Sequence, residues 1–227
     1  MGKPRCFAII NMQEINCRLK YDDIKMLTLN IKYPIITTYN NPRAGEIINN
    51  QISTQVDEYI EYATNTLYNE AMSTYEDSLK NNYPFHDYEA YMEYTITYND
   101  NCFLSLYINE YEFTGGAHGS TIRTSNTWEL CTGEDIYLHY FFKPYTDYAH
   151  MITQEIIAQA EENLRENPLI YFDDYKDLII GNFNSSSFYM SPNGITIYYQ
   201  QYDIAPYSTG IVEFTIPYTK IGWFPSC

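Results

Sequence analysis

The sequence lacks the features that would place it across a membrane or on nucleic acid. It has no run of 18 apolar residues, which is about what a membrane-spanning helix needs. Its 227 residues include only 13 Lys and Arg against 29 Asp and Glu, a formal net charge of −16. No Lys/Arg cluster offers the basic patch that nucleic acid or an anionic membrane requires. These absences exclude nucleic acid as a partner and disfavour an anionic membrane surface.

Metal and disulfide signatures are also missing. The four histidines form neither an HxH nor an HExxH pattern, and no D-x-D-x-D-G calcium loop occurs. The cysteines are odd in number, scattered and free of any CxxC, so they predict neither a zinc site nor a disulfide framework. We therefore expect no metal, no cofactor and buried or unreactive thiols, with a single Cys6–Cys17 bridge left open. The five cysteines are Cys6, Cys17, Cys102, Cys131 and Cys227.

What the sequence does contain is alternating strand patterns and two long amphipathic helices. Apolar residues recur at spacings of three and four from 45 to 80, as at Ile52, Val56 and Ile60. A second such stripe predicts a helix at 146–165, for which Thr146 or Asp147 could serve as the N-cap. A shorter helix is expected at 172–180. Period-two patterns and turn residues predict the strands. These strands are expected at 5–11, 24–33, 90–98, 102–113, 119–129, 187–190, 194–201 and 210–217.

The order of these elements predicts an α+β fold with two closely packed subdomains. Strands, helix and strands are followed by a second round of helix and strands, which favours antiparallel sheets over regular βαβ winding. We expect each antiparallel sheet to be covered by an amphipathic helix. The subdomains are predicted at 1–118 and 119–227, meeting near the glycine-rich turn at 114–119.

Four runs of sequence carry a family resemblance. They are Y-E-F-T-G-G-A-H-G at 111–119, L-C-T-G-E followed by Y-F-F at 130–142, F-Y-M and N-G-I at 188–195, and Y-D-I-A-P-Y with G-I at 202–211. Together they resemble a bacterial domain pair. The pair occurs in the ectodomain of RsiV-type anti-sigma factors, which bind lysozyme, and in the non-catalytic N-terminal region of PdaC-type peptidoglycan deacetylases.

The resemblance implies a non-catalytic binding or sensing module of the cell envelope. Residues 1–118 would correspond to the PdaC-type N-terminal region and 119–227 to the RsiV-type C-terminal region. The implied partner is a cationic protein such as a lysozyme, or a cell-wall glycan. The implied location is extracytoplasmic, with the cytoplasm as the alternative because this chain shows no signal or anchor segment. Deacetylase activity is not implied, because the metal-binding motifs of the catalytic domain are absent.

Two segments are candidate ligand- or partner-binding sites. Glycines in the turn allow close approach of a ligand and let successive N–H groups face an anion. The favoured alternative is a structural crossover between strands that needs glycine, with His118 capping a buried carbonyl. The tyrosines near 202–207 could line a peptide or glycan groove, or simply cover the core. The candidate residues are Gly115, Gly116, His118, Gly119, Tyr202, Asp203, Pro206 and Tyr207.

The alternative function is an envelope enzyme that acts on peptidoglycan or another glycan. Glu110 and Glu112 alternate onto one face of a strand, about 7 Å apart by strand rise. Two carboxylates at such a separation suit general acid–base chemistry, and His118 is a further candidate. No G-x-S-x-G nucleophile elbow is present. An enzyme would need two of these groups to converge in one cleft, whereas a binding module would not.

Overall fold

The computed structural model describes residues 6–226 and contains two sheets. The first has five strands in the order β1-β2-β3-β4-β5, paired antiparallel except for β2 and β3, which run parallel. The second is an antiparallel sheet of three strands, β6-β7-β8. The strands are β1 (Ile9–Tyr21), β2 (Ile24–Thr37), β3 (Tyr88–Asp100), β4 (Phe103–Phe113), β5 (Ser120–Glu129), β6 (Phe188–Ser191), β7 (Gly194–Tyr199) and β8 (Val212–Pro217).

One long helical segment covers the first sheet. It consists of α1 (Pro42–Tyr62), a π-helical turn (Ala63–Leu67) and α2 (Tyr68–Asn81). The predicted stripe faces the core, since Ile52 and Val56 are buried and Ile60 packs against the same cluster. Ala63 and Leu67 of the π turn are buried, so the segment continues to pack on the sheet through this turn.

The second sheet is covered by α3 (Tyr148–Glu166), beside which lie α4 (Tyr175–Gly181) and the four-residue α5 (Tyr218–Ile221). Asp147 is the N-cap of α3, because its Oδ1 accepts a hydrogen bond from the His150 N–H at 3.1 Å. The buried stripe of α3 includes Ile152 and Ile156. No helix within residues 6–226 is both long enough and apolar enough to cross a bilayer.

The α+β architecture with two helix-covered sheets is therefore confirmed, and two details need correction. The helical segment makes a crossover between β2 and β3, so this pair is parallel rather than antiparallel. β1 continues to Tyr21, well past the predicted end at residue 11. β5 pairs with β4 and therefore belongs to the first sheet.

The two sheets meet around a buried arginine. Arg123 of β5 lies with its guanidinium carbon 3.8 Å from the centre of the Tyr107 ring. Its Nε donates to Asn109 Oδ1 at 2.8 Å, and its Nη1 forms an ion pair with Glu213 of β8. A cation held between a ring and a carboxylate is stabilised in a setting that water cannot reach easily. This contact fixes β8 and its neighbours against β4 and β5.

Candidate functional site

The two candidate segments come together in the structure. The His118 ring stacks on the Tyr207 ring, with centroids 3.9 Å apart and an interplanar angle of 21°. The Gly119 carbonyl accepts two hydrogen bonds, from the Tyr207 hydroxyl at 2.8 Å and from His118 Nδ1 at 2.9 Å. Tyr202 is the third member, with its ring 5.9 Å from that of Tyr207. We name His118, Tyr202 and Tyr207 the aromatic junction.

Two glutamines hold the aromatic junction against the edge of the first sheet. The Gln200 side chain accepts from the Arg123 N–H at 2.9 Å and donates to the Arg123 carbonyl at 2.6 Å, as a neighbouring strand would. Gln201 Oε1 accepts from the Thr121 N–H at 2.9 Å. Sequence reasoning missed both glutamines and Arg123, because side-chain pairing with a strand edge leaves no periodic signal.

The remaining predicted residues of 202–207 shape the loop. Asp203 Oδ2 accepts from the Gln200 N–H at 2.7 Å and thereby closes the turn. Tyr202 has φ +68°, a left-handed conformation that is costly for a tyrosine, and it leaves the ring 55% exposed. Pro206 precedes a short 3₁₀ turn at Tyr207–Thr209. The loop thus holds an exposed tyrosine beside the His118–Tyr207 stack.

The three glycines of the β4–β5 turn have different roles. A Cβ on Gly119 would lie 2.5 Å from the Tyr111 ring and from the Glu112 carbonyl, so only glycine fits there. Gly115 has φ +83°, which favours glycine for conformational reasons. Gly116 is exposed at the tip and has no such constraint. Two of the three glycines therefore have a structural explanation, and no contact within residues 6–226 points to an anion site.

A second feature lies on the helix side of the same hairpin. Glu58, Tyr59 and Tyr62 of α1 and Glu110 of β4 line a cleft of about 350 Å³. Beside it, Glu112 Oε2 accepts a hydrogen bond from the Tyr62 hydroxyl at 3.2 Å. We name these five residues the acidic cleft.

The acidic cleft carries carboxylates that no described basic residue neutralises. Among the described residues, no Lys, Arg or His forms an ion pair with Glu58, Glu110 or Glu112. Burial, and then the neighbouring Glu112 carboxylate, raise the pKa of Glu110 above its usual value. Burial also raises the pKa of Glu112. The hydrogen bond from Tyr62 lowers this pKa in part, and the negative charge of Glu70 raises it further. A cation entering the cleft would relieve this repulsion.

The predicted enzyme constellation is only partly assembled. Glu110 and Glu112 do share the helix side of β4, as their spacing predicts. His118 instead stacks on Tyr207 at the aromatic junction, and it is not among the residues that line the cleft. The carboxylate pair therefore stands without the histidine as a proton-transfer partner.

Three cysteines from distant segments meet at one end of the first sheet. The sulfur atoms of Cys6, Cys102 and Cys131 all lie within 4.8 Å of one another. Cys102 is disulfide-bonded, which corrects the expectation of unreactive thiols, whereas Cys6, Cys131 and the distant Cys17 are free. The cluster thus offers two thiolates to a metal, fewer than a structural zinc site uses. Cys227 lies outside the described residues.

Comparison with known families agrees with the sequence motifs. Residues 22–121 match the family model described as deacetylase PdaC, and residues 140–219 match that of a protein of unknown function, DUF3298. No curated protein sequence matches the chain significantly.

Solved structures share the fold. A DUF3298 family member from Bacteroides fragilis superposes with a TM-score of 0.74 at 22% identity, covering 95% of this chain and 92% of that one. A DUF3298 family protein from Pseudomonas aeruginosa gives a TM-score of 0.60 at 19% identity, with the same coverage of 95% and 92%. At these identities the likeness establishes the fold alone.

Proposed function

We propose that this chain, which carries a PdaC-type domain followed by a DUF3298 domain, is a non-catalytic extracytoplasmic binding module of the cell envelope. Its partner is a cationic protein of the lysozyme kind. The observation that carries the proposal is the acidic cleft: Glu58 and Glu110 line it, Glu112 lies beside it, and none of the three forms an ion pair with a described basic residue. A lysine or arginine side chain of the partner would supply the missing charge.

The overall charge of the protein supports the same partner. A net charge of −16 produces a broad negative potential, which accelerates encounter with a basic protein and slows encounter with an acidic one. Lysozymes are typically basic, and the resemblance to RsiV-type ectodomains points to them independently. Glu110 and Glu112 lie on β4, the first strand of the β4–β5 hairpin. We therefore place the contact surface on the acidic cleft, on the helix side of this hairpin.

Calorimetric titration with a basic lysozyme tests the proposal. We expect micromolar or tighter binding by the wild-type protein at low salt. The double variant Glu110→Gln/Glu112→Gln should weaken the affinity at least about tenfold. The matched control, Glu162→Gln/Glu166→Gln on the exposed end of α3, removes the same charge and should change the affinity less than about threefold. Equal losses in both variants would contradict a localised site.

The alternative, a glycan-cleaving envelope enzyme, draws on the raised pKa of Glu110, which would suit a general acid. Incubation with peptidoglycan and chromatography of the soluble products distinguishes the two. The binding proposal expects no products. Products that appear with the wild-type protein and disappear with Glu110→Gln would replace it with the enzymatic one.

A further inference from the structure

The face of the first sheet that points away from the helices is only partly covered. The second sheet packs on one end of it, where the Met190 N–H donates to Ser105 Oγ at 2.9 Å and the Ser125 hydroxyl donates to the Phe188 carbonyl at 2.5 Å. The other end forms an open trough of about 450 Å³. We name it the sheet trough, defined by Asn30, Tyr91, Glu93, Asn109, Tyr111 and Thr121.

Two tyrosines form the aromatic part of the sheet trough. Tyr91 and Tyr111 lie directly opposite each other on β3 and β4, with ring centroids 5.8 Å apart and planes 19° from parallel. The Tyr111 ring can occupy its position because Gly119 has no Cβ, which would otherwise lie 2.5 Å from ring atoms. Both rings are half-buried, so they have defined positions and still face the trough. Fixed aromatic rings bind planar apolar surfaces at low cost in conformational entropy.

Polar groups beside these rings are left with unused hydrogen-bonding capacity. Asn109 accepts from the Arg123 Nε through its Oδ1, and within residues 6–226 its side-chain NH₂ group has no acceptor. Asn30 donates to Glu14 and Asn16 through its Nδ2, which leaves its Oδ1 as an acceptor. The trough therefore offers one hydrogen-bond donor and one acceptor beside the tyrosine pair. A ligand hydroxyl group, which both donates and accepts, can bond to either.

The charge of the sheet trough selects against anions. Glu93 Oε1 lies 3.9 Å from the Nζ of Lys32, while Glu14 bonds Asn30 and Glu89 bonds Tyr91, so the carboxylates at the trough outnumber its one lysine. A phosphate would need an uncompensated cation, and a basic peptide would find more negative charge in the acidic cleft. A neutral ligand with flat apolar faces and hydroxyl edges fits the aromatic rings and the amides, and its hydroxyl groups can also donate to the nearby carboxylates. Sugar rings have this chemistry.

We propose that the sheet trough binds an uncharged oligosaccharide. Tyr91 and Tyr111 pack against the apolar faces of its rings, and Asn30 and Asn109 form hydrogen bonds with its hydroxyl or amide groups. The trough lies on the opposite face of β4 from the acidic cleft. It is therefore a second site, and it does not depend on the proposed cationic partner.

Titration by NMR with three neutral tetrasaccharides tests the inference: the tetramers of N-acetylglucosamine, β-1,4-glucose and α-1,4-glucose. We expect at least one to bind with a Kd of about 0.1–1 mM. The side-chain amide signals of Asn30 and Asn109 should shift during that titration. Tyr91→Thr and Tyr111→Thr, which retain β propensity, should weaken binding at least about tenfold. The matched control Tyr39→Thr changes a tyrosine that is 73% exposed elsewhere and should bind like wild type.

Two results would overturn the inference. One is the absence of shifts with all three sugars at about 10 mM, roughly ten times the weakest expected Kd. The other is binding that shifts signals away from Asn30 and Asn109. The wild-type shift map remains decisive if a tyrosine variant fails to fold, because it needs no substitution.

Discussion

The His118 imidazole stacks on the Tyr207 ring, with ring centroids 3.9 Å apart. Both side chains also donate hydrogen bonds to the Gly119 carbonyl, although Tyr207 lies 88 residues beyond Gly119 in the chain. The stack joins the β4–β5 hairpin to the loop that follows β7. It therefore connects the two sheets at the hairpin whose β4 strand carries Glu110 and Glu112.

His118→Ala should lower the free energy of unfolding by roughly 1 kcal/mol, because it removes a ring contact and a hydrogen bond at an exposed position. Chemical denaturation measures this loss. His86→Ala, at another exposed histidine whose ring makes no stacking contact among the described residues, is the control and should change stability by less than about 0.5 kcal/mol. We expect lysozyme affinity to stay close to wild type. A variant that melts like wild type but no longer binds would instead make His118 a contact residue.

Gly119→Ala should be far more damaging than its size suggests. The added Cβ would lie 2.5 Å from backbone and ring atoms, so β4 or Tyr111 must move, at a cost of about 1–3 kcal/mol. Gly181→Ala is the matched control, since nothing lies within 4 Å of its Cβ position. We expect that substitution to be neutral or slightly stabilising in thermal melts. Similar melting temperatures for the two variants would contradict the close approach at Gly119.

Glu110→Gln should stabilise the protein at neutral pH. The raised pKa means that the folded state binds the Glu110 proton more tightly than the unfolded chain, so wild-type stability falls as pH rises through that range. The variant removes this loss and should gain a few tenths to about 1 kcal/mol at pH 7. The gain should vanish below pH of about 4, where the carboxyl is protonated in both states. Denaturation at several pH values measures it.

Cys6 and Cys131 should form a disulfide when treated with oxidised glutathione. One thiolate attacks the glutathione disulfide and releases a reduced glutathione, and the second thiol displaces the other glutathione from the mixed disulfide. Burial, followed by the influence of Cys6, raises the pKa of Cys131, so the reaction should accelerate with pH. The bridge should raise the melting temperature by about 5 °C.

Peptide mapping by mass spectrometry identifies that link. Cys17→Ser should leave it intact, and Cys131→Ser should abolish both the link and the rise in melting temperature. Full alkylation of Cys6 and Cys131 after prolonged oxidation would show that the thiols do not react with each other.

The sequence predicts local structure well where one face of an element is buried. The spacing of Ile52 and Val56 identifies the first helix. For α3, the structure has Asp147 as the N-cap, which is one of the two candidates that the sequence offers. β1 is harder to predict, because an edge strand with both faces largely exposed does not alternate clearly, and only its first residues were expected. The parallel pairing of β2 with β3 depends on where the helical segment returns, which periodicity does not record.

For the candidate site too, the sequence predicts individual residues but not the contacts between them. His118 and Tyr207 are both identifiable as candidates from the sequence, but their contact arises from the packing of two sheets. Cys6, Cys102 and Cys131 carry no spacing signal at all, since each comes from a different segment. Sequence reasoning finds residue types with suitable chemistry, and tertiary structure decides which of them meet.

The most direct test of the proposed function is the affinity for a basic lysozyme at low and at high salt, measured by calorimetry. The Debye length falls from about 10 Å at 0.1 M salt to about 3 Å at 1 M, so an electrostatic interface must weaken. We predict micromolar or tighter binding at 0.1 M and a Kd at least about tenfold higher at 1 M. No heat of binding at low salt, with both proteins folded at high micromolar concentration, would contradict the cationic-partner account.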